Sequence, residues 1–325
     1  MKLFDGFHRK VNYLRLSVTD RCNLRCRYCM PAAGVSKLGH NDILSYEALQ
    51  CVSRAAVSLG IEKIRITGGE PLVRKGLLPF LHELSALPGL KELVLTTNGT
   101  LLPELATELK AAGVKRVNIS LDSLQPDRFR RITRGGDLAR VLAGIAAAEA
   151  AGIAVKLNMV VMRGINDDEV VDFAAMAHGK ALSVRFIEYM PNIQDAGWQA
   201  QIVRGQEILE RIGKKFSYQE LRRGTLCGPS RDYHLEGASG SIGIITPVSN
   251  HFCDSCNRIR VTATGLARSC LFSGEAVNLR PVLLGGDVQA VQQVLLDIVK
   301  DKVSGHRLDD EKERGPAFCM SSIGG

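Results

Sequence analysis

Long apolar runs are missing from this sequence of 325 residues. The most hydrophobic segment, VLAGIAAAEAAGIAV from Val141, is interrupted by Glu149, and the opening MKLFDGFHRKVNYLRL carries no apolar h-region. The expectation is a chain that neither spans a membrane nor is exported. Aromatic residues are scarce, at 5% with a single tryptophan, and no nucleic-acid recognition motif is evident, so there is little on which bases could stack. Low-complexity tracts are lacking. A complete set of disulfides is excluded by arithmetic, because nine cysteines cannot all pair. Such thiols, with no secretory signal, point to a reducing, cytoplasmic setting in which clustered cysteines hold metal more often than they form disulfides.

The composition that remains is that of a globular protein, 45% hydrophobic and 23% charged. Its length allows one large domain or two smaller ones. The net charge of +8 suggests an anionic partner, either a nucleic acid or a small phosphorylated molecule, although a solvated basic surface gives the same sum.

From Tyr13 to Met190 short β-rich runs alternate with amphipathic helical stretches. The expected strands are 13–18, 63–67, 92–97, 116–121, 154–162 and 183–190. Between them, LSYEALQCVSRAAVSLG, LLPELATELKAAG and DLARVLAGIAAAEAAG carry apolar residues at three- and four-residue spacing and end in glycine. This βα repetition predicts a largely parallel sheet, either open and doubly wound or curved and barrel-like. In both, ligands gather at the carboxyl ends of the strands, where TGGEP, TTNG, SLDS and EYMP fall. After Pro191 the pattern changes to a short helix around Gln206 to Ile212, Gly-rich and β-rich sequence, a helix from Val288 and a charged stretch from His306. It reads as a smaller module, 192–325, after a first domain, 1–191.

Two thiol triads stand out. In RCNLRCRYCMP, Cys22-x3-Cys26-x2-Cys29 directly follows the first strand. A structural zinc site closes with four ligands, whereas three cysteines on one loop leave a [4Fe-4S] cube with one iron open. A zinc knuckle with a distant fourth ligand fits the same spacing. Cys253-x2-Cys256-x13-Cys270 is the second triad, and alone it reads sooner as a zinc ribbon completed by His251 than as a second cluster site. A zinc-stabilised, basic nucleic-acid-binding protein is the corresponding rival class.

The first triad, with Tyr28 before its last cysteine, resembles the signature of the radical S-adenosylmethionine (SAM) enzymes, and GGEP at Gly68 to Pro71 resembles their second motif. Taken in order, YLRLSVTDRCNLRCRYCMP, RITGGEPL, TTNG, NISLDSL, RFIEYMP, FCDSCNRIRVTATG and the terminal IGG resemble the GTP 3′,8-cyclases of molybdenum cofactor biosynthesis across nearly the whole chain. That resemblance implies an incomplete (α/β)6 TIM-like barrel with a smaller C-terminal module, and two [4Fe-4S] clusters facing each other across one pocket. Cys22, Cys26 and Cys29 would hold the cluster that binds SAM, with Tyr28, Gly69, Ser120 and Met190 around the cofactor. Cys253, Cys256 and Cys270 would hold the cluster whose open iron meets the purine of GTP. GTP contacts would come from Arg15, Arg65, Thr96, Lys156, Arg258, Ile259 and Arg260. By strand alternation, Arg258 and Arg260 share one face. Asn98 and Arg185 are further pocket candidates, and the tail residues Gly324 and Gly325 would enter the active site to assist catalysis. Cys51, Cys227 and Cys319 read as ordinary thiols. The resemblance also implies a flavodoxin- or ferredoxin-type electron donor, a downstream cyclic pyranopterin monophosphate synthase, a homodimer, and no nucleic-acid or membrane partner.

Overall fold

The computed structural model describes residues 2–35, 38–190, 197–273, 275–306 and 320–324. Gly325, Cys319, the expected boundary after residue 191 and the charged stretch beyond His306 lie outside them.

The expected strands form within two residues of their anticipated bounds. β1 (Tyr13–Ser17), β2 (Lys63–Thr67), β3 (Glu92–Thr97), β4 (Arg116–Ser120), β5 (Ala154–Val161) and β6 (Ser183–Glu188) pair in sequence order, each parallel to the last. The helices between them are α1 (Tyr46–Ser58), α2 (Leu77–Ser85), α3 (Leu102–Ala111), α4 (Pro126–Thr133), α5 (Leu138–Ala150) and α6 (Val170–Gly179). Capping sets where several begin. Ser45 accepts from the Ala48 amide ahead of α1, and Asp137 accepts from the Ala139 amide ahead of α5.

The later chain supplies α7 (Gly205–Gly213), β7 (Tyr218–Glu220), β8 (Arg231–Leu235), β9 (Ser241–Ile245), β10 (Arg258–Val261), β11 (Leu266–Arg268), β12 (Val277–Asn278), α8 (Arg280–Leu283), α9 (Val288–Lys300) and α10 (Met320–Ile323). Its strands continue the same sheet. β9 lies parallel on the free edge of β6 and β10 parallel on the free edge of β1, giving the order β12-β11-β10-β1-β2-β3-β4-β5-β6-β9-β8-β7. The two flanks of the six-stranded core are thus occupied by strands from late in the sequence.

Alternation separates the two faces of this sheet. Leu14, Leu16, Ile64, Ile66, Leu93, Leu95, Val117, Ile119, Leu157, Val184 and Phe186 join one hydrophobic core with helix residues such as Leu49, Leu81, Leu109, Ile145 and Phe173. The intervening positions turn the other way and are polar, among them Arg15, Arg65, Thr96, Ser120, Asn158, Arg185 and Arg260. Residues of β1 to β6, β9 and β10 line one common cavity, which a flat sheet could not enclose. The curved, partial-barrel alternative is therefore the one that forms. At the amino ends of the strands the loop before β8 caps the lumen. Lys63 Nζ donates to Leu226 O (2.9 Å), Asn12 Nδ2 to Thr225 O (3.1 Å) and Asn257 Nδ2 to Cys227 O (3.2 Å).

The joint between β6 and β9 depends on close backbone approach at Gly240, whose amide donates to Ala177 O (2.9 Å). A Cβ there would sit 2.0 Å from Leu182 O and 2.5 Å from Lys180 O, whereas one at Gly179 meets nothing within 4 Å. Gly240→Ala should therefore cost about 1–3 kcal/mol as an overpacked substitution, and Gly179→Ala almost nothing. Urea unfolding midpoints of the two variants check this, and equal midpoints would contradict it.

Candidate active site

The first triad sits on the loop after β1, and its backbone is fixed from two sides. Arg25 N donates to Thr133 O (3.1 Å) and Arg27 N to Ile132 O (2.9 Å), which anchors the loop to the end of α4. Arg134 Nη1 reaches back to Arg25 O (3.0 Å) and Met30 O (2.9 Å). On the other side, Gly69 N donates to Thr19 O (2.9 Å) and Glu70 N to Arg21 O (2.8 Å). A Cβ at Gly69 would lie 2.4 Å from Arg21 O, so only glycine lets the GGEP turn close on this loop.

Two buried carboxyls tie the strand ends together. Glu70 accepts from Thr97 Oγ1 (2.8 Å), Asn98 N (2.6 Å) and Leu72 N (3.1 Å), and burial pushes its pKa up to about 7. Asn98 in turn donates from Nδ2 to Asn23 Oδ1 (2.7 Å), beside Cys22. Asp122 accepts from Tyr28 Oη (2.8 Å) and Val160 N (2.9 Å), and burial raises its pKa to about 6. Tyr28 is thereby aimed by β4 and β5 rather than by its own loop.

Cys22, Cys26, Cys29, Cys253, Cys256 and Cys270 all line the one cavity. Burial raises the Cys22 thiol to about 11 and holds Cys26 well above the ordinary range. At Cys256 burial acts the same way but is outweighed by Arg258 and Lys302, which bring that thiol down to about 6. A metal must displace the remaining protons as it binds. The donor sets, three soft thiolates each, suit an iron-sulfur cube with an open corner. Among the described residues no three His, Cys, Asp or Glu side chains are gathered as a single metal ion requires. His251 does not line the cavity with the second triad; it packs edge-on against His306, ring centroids 5.0 Å apart. Cys51 and Cys227 are not part of the cavity wall.

Between the triads the wall is cationic. The parallel pairing of β1 with β10 sets Tyr13 against Arg258 and Arg15 against Arg260, and pairing with β2 sets Arg15 against Arg65. All of these, with Arg185, Thr96 and Asn158, line the cavity. The Nε atoms of Arg15, Arg65, Arg185 and Arg260 are buried with no partner among the described residues. Burial, with Arg260 nearby, lowers the Arg15 pKa well below its ordinary value. Arg65 and Arg260 are lowered to about 10, again chiefly by burial. Of the carboxylates nearby, Glu92 takes Lys63 (3.0 Å) and Arg116 (3.3 Å) and Asp232 pairs with Arg185 (3.6 Å), so Arg15, Arg65 and Arg260 have no carboxylate partner among the described residues. Several fixed guanidinium groups with idle donors form a receptor for a polyanion.

Of the residues singled out in the sequence, Tyr28, Gly69, Ser120, Met190, Arg15, Arg65, Thr96, Arg258, Arg260, Asn98 and Arg185 come together in this wall. Ile259 does not. Its side chain pairs in register with Leu14 and joins the hydrophobic core, so any contact it makes falls to its backbone. Lys156 occupies the same face of β5 as Asn158 but one step toward the strand's amino end, outside the lining, where burial and Arg185 lower its pKa to about 7. Gly324 stands above β1 and β2: φ is +75° and a Cβ would lie 2.4 Å from Thr67 Oγ1. Met320 N donates to Cys29 O (3.2 Å), so the tail reaches the first triad. Sequence reasoning missed Lys63, Asn158, Asp122 and Lys302. Lys63 and Asn158 could have been found, since each lies two positions from a strand residue already chosen.

The paired loops, GGEP turn and parallel partial barrel define the radical SAM class, and residues 16–177 match the family model described as Radical SAM superfamily. Residues 182–308 match the model described as Molybdenum Cofactor Synthesis C. Among solved structures, Streptococcus suis SuiB bound to S-adenosylmethionine has a similar fold, with TM-score 0.60 and 15% identity over 92% of this chain and 66% of that one. The GTP 3′,8-cyclase of Geobacter sulfurreducens is 58% identical over 326 residues, 100% of each chain, and that of Moorella thermoacetica is 47% identical over 99% of each. The chain belongs to the GTP 3′,8-cyclase family.

The Asp122 carboxyl keeps its proton in the folded protein where the unfolded chain has lost it. Its stabilising contribution is therefore complete below 3.8 and disappears as pH rises through about 6. Between those values, cluster-free wild type should lose up to about 3 kcal/mol relative to Asp122→Asn. Urea unfolding of both proteins across this pH range is the check, and a difference independent of pH would contradict it.

Proposed function

We propose that this chain converts GTP to 3′,8-cyclo-7,8-dihydroguanosine 5′-triphosphate, an early step of molybdenum cofactor biosynthesis, using two [4Fe-4S] clusters and SAM. The observation that carries this reading is the one cavity into which both thiol triads and several arginines with unpartnered Nε atoms among the described residues open. Cys22, Cys26 and Cys29 hold the first cluster, leaving one iron for the amine and carboxylate of SAM. Tyr28, Gly69, Ser120 and Met190 enclose the rest of that cofactor. Cys253, Cys256 and Cys270 hold the second cluster, whose open iron receives the purine, with Arg258 and Arg260 beside it. Arg15, Arg65 and Thr96 grip the triphosphate, and Lys156 and Arg185 complete the positive field beneath them. Residues 1–191 constitute the partial barrel, and 192–325 the module that brings the second triad.

When bound, the first cluster and SAM would supply a 5′-deoxyadenosyl radical to take the hydrogen from C3′ of GTP; bonding of C3′ to C8 would leave an unpaired electron on the purine, which one further electron and a proton would quench to the 7,8-dihydro product. The chain's own work is placement. Arginine forks fix the triphosphate at one end and the second triad fixes the base at the other, so the ribose between them has one orientation. The cap over the amino ends of the strands restricts water, and the tail residues Gly324 and Gly325 assist catalysis. A flavodoxin- or ferredoxin-type donor supplies the electron, and a cyclic pyranopterin monophosphate synthase takes the product. The enzyme is cytoplasmic and homodimeric. No helix among the described residues is long and apolar enough to cross a membrane.

Cys22→Ala, Cys26→Ala or Cys29→Ala should abolish SAM cleavage, whereas Cys253→Ala should retain cleavage uncoupled from GTP. Counting 5′-deoxyadenosine released anaerobically with dithionite tests this, and equal loss in both sets would contradict the division of labour. Gly324→Ala, strained at φ +75° and crowded by Thr67, should lower kcat on the order of a hundredfold while GTP affinity holds. Turnover compared with equilibrium GTP binding checks it, and a parallel loss of affinity would mean the tail serves binding instead.

A further inference from the structure

Behind the second triad, away from the cavity, lies a cation that the reading above does not use. Lys302 follows α9 and is 3% exposed. Its ammonium donates to Ser269 O (2.7 Å), Arg258 O (3.2 Å) and Cys256 Sγ (3.5 Å). Two of these acceptors belong to residues directly beside the triad, Ser269 before Cys270 and Arg258 two positions after Cys256. No carboxylate is among its described partners, and the anionic groups acting on it are the thiols of Cys256 and Cys270. A buried ammonium with carbonyl partners alone is costly, and it persists where an anion compensates it. Three thiolates around an iron-sulfur core provide that anion.

The segment bearing Lys302 is held in place from the other end of the chain. Arg9 donates from Nη1 to Cys253 O (2.7 Å) and Ser304 O (2.9 Å), and from Nη2 to Val303 O (2.7 Å). Arg9 is itself paired with Asp5 (2.6 Å); of the two cations that donate to Cys256 Sγ, Arg258 does so from the cavity wall (3.5 Å) and Lys302 from behind (3.5 Å).

We propose that Lys302 is the counter-charge and positioning residue of the second iron-sulfur cluster, holding its ammonium against the Cys256 thiolate so that this triad retains its cluster. The inference rests on the two-cluster reading given above. N–H donation to a ligating sulfur is one of the levers by which a protein sets a cluster's retention and potential.

Full-length Lys302→Met and Lys302→Arg, reconstituted anaerobically, test this by iron and sulfide content and by electron paramagnetic resonance after reduction. Wild type should hold about eight irons per chain, Lys302→Met about four, and Lys302→Arg nearly the wild-type content. The signal that responds to added SAM should survive in Lys302→Met, which also shows that the variant has folded. Full iron with an unchanged second signal in Lys302→Met overturns the role, and so does equal loss of both clusters. A wild type that itself holds only about four irons removes the two-cluster reading and this role with it.

Discussion

A strand face that would ordinarily be filled with hydrocarbon is here lined with arginine, and the rest of the structure answers to that. Parallel sheets bury both faces, so charge on one of them is tolerated only where the sheet curls around something polar. Arg15, Arg65, Arg185, Arg258 and Arg260 occupy that inner face, several with Nε unpartnered among the described residues. Burial first, and the like charges of neighbouring arginines second, lower the pKa values of Arg15 and Arg65. The hydrophobic outer face, packed under the helices, supplies the stability that holds them together. A bound polyanion would relieve the repulsion among these guanidinium groups.

The same constraint explains the chain's topology. One thiol triad follows β1, the other has Cys253 and Cys256 just before β10 and Cys270 just after β11, and β1 and β10 are neighbours in the sheet. A late strand added beside the first brings residues more than two hundred positions apart to one cavity. Placing β9 against β6 extends the opposite flank, so the later segment contributes to both sides of the pocket. Loop anchors then fix the reactive ends: α4 and the GGEP turn hold the first triad, while Arg9 and Lys302 hold the second.

Much of this was legible in the sequence because it rests on local rules. The six core strands and their carboxyl-end motifs follow from periodicity, and the shared face of Arg258 and Arg260 from alternation. The spacing of the cysteines left zinc and iron-sulfur readings both open until the wider run of motifs was considered. What escaped is non-local. That β9 and β10 flank the core in one sheet depends on pairings no window of sequence contains. Ile259 was expected among the GTP contacts from the resemblance, yet alternation sends its side chain into the core. Asp122 is a plain aspartate in SLDS until Tyr28 is brought to it, and Lys302 is a basic residue near a helix end until the fold sets it behind Cys256.

The most direct measurement supplies the anaerobically reconstituted enzyme with SAM, dithionite and GTP deuterated at C3′, and reads the mass of the 5′-deoxyadenosine released. Deuterium in that product is the predicted result, because the proposed binding of GTP would set C3′ between the cofactor and the arginines of the wall. Unlabelled 5′-deoxyadenosine would contradict the placement of GTP, and none at all would contradict the radical chemistry itself.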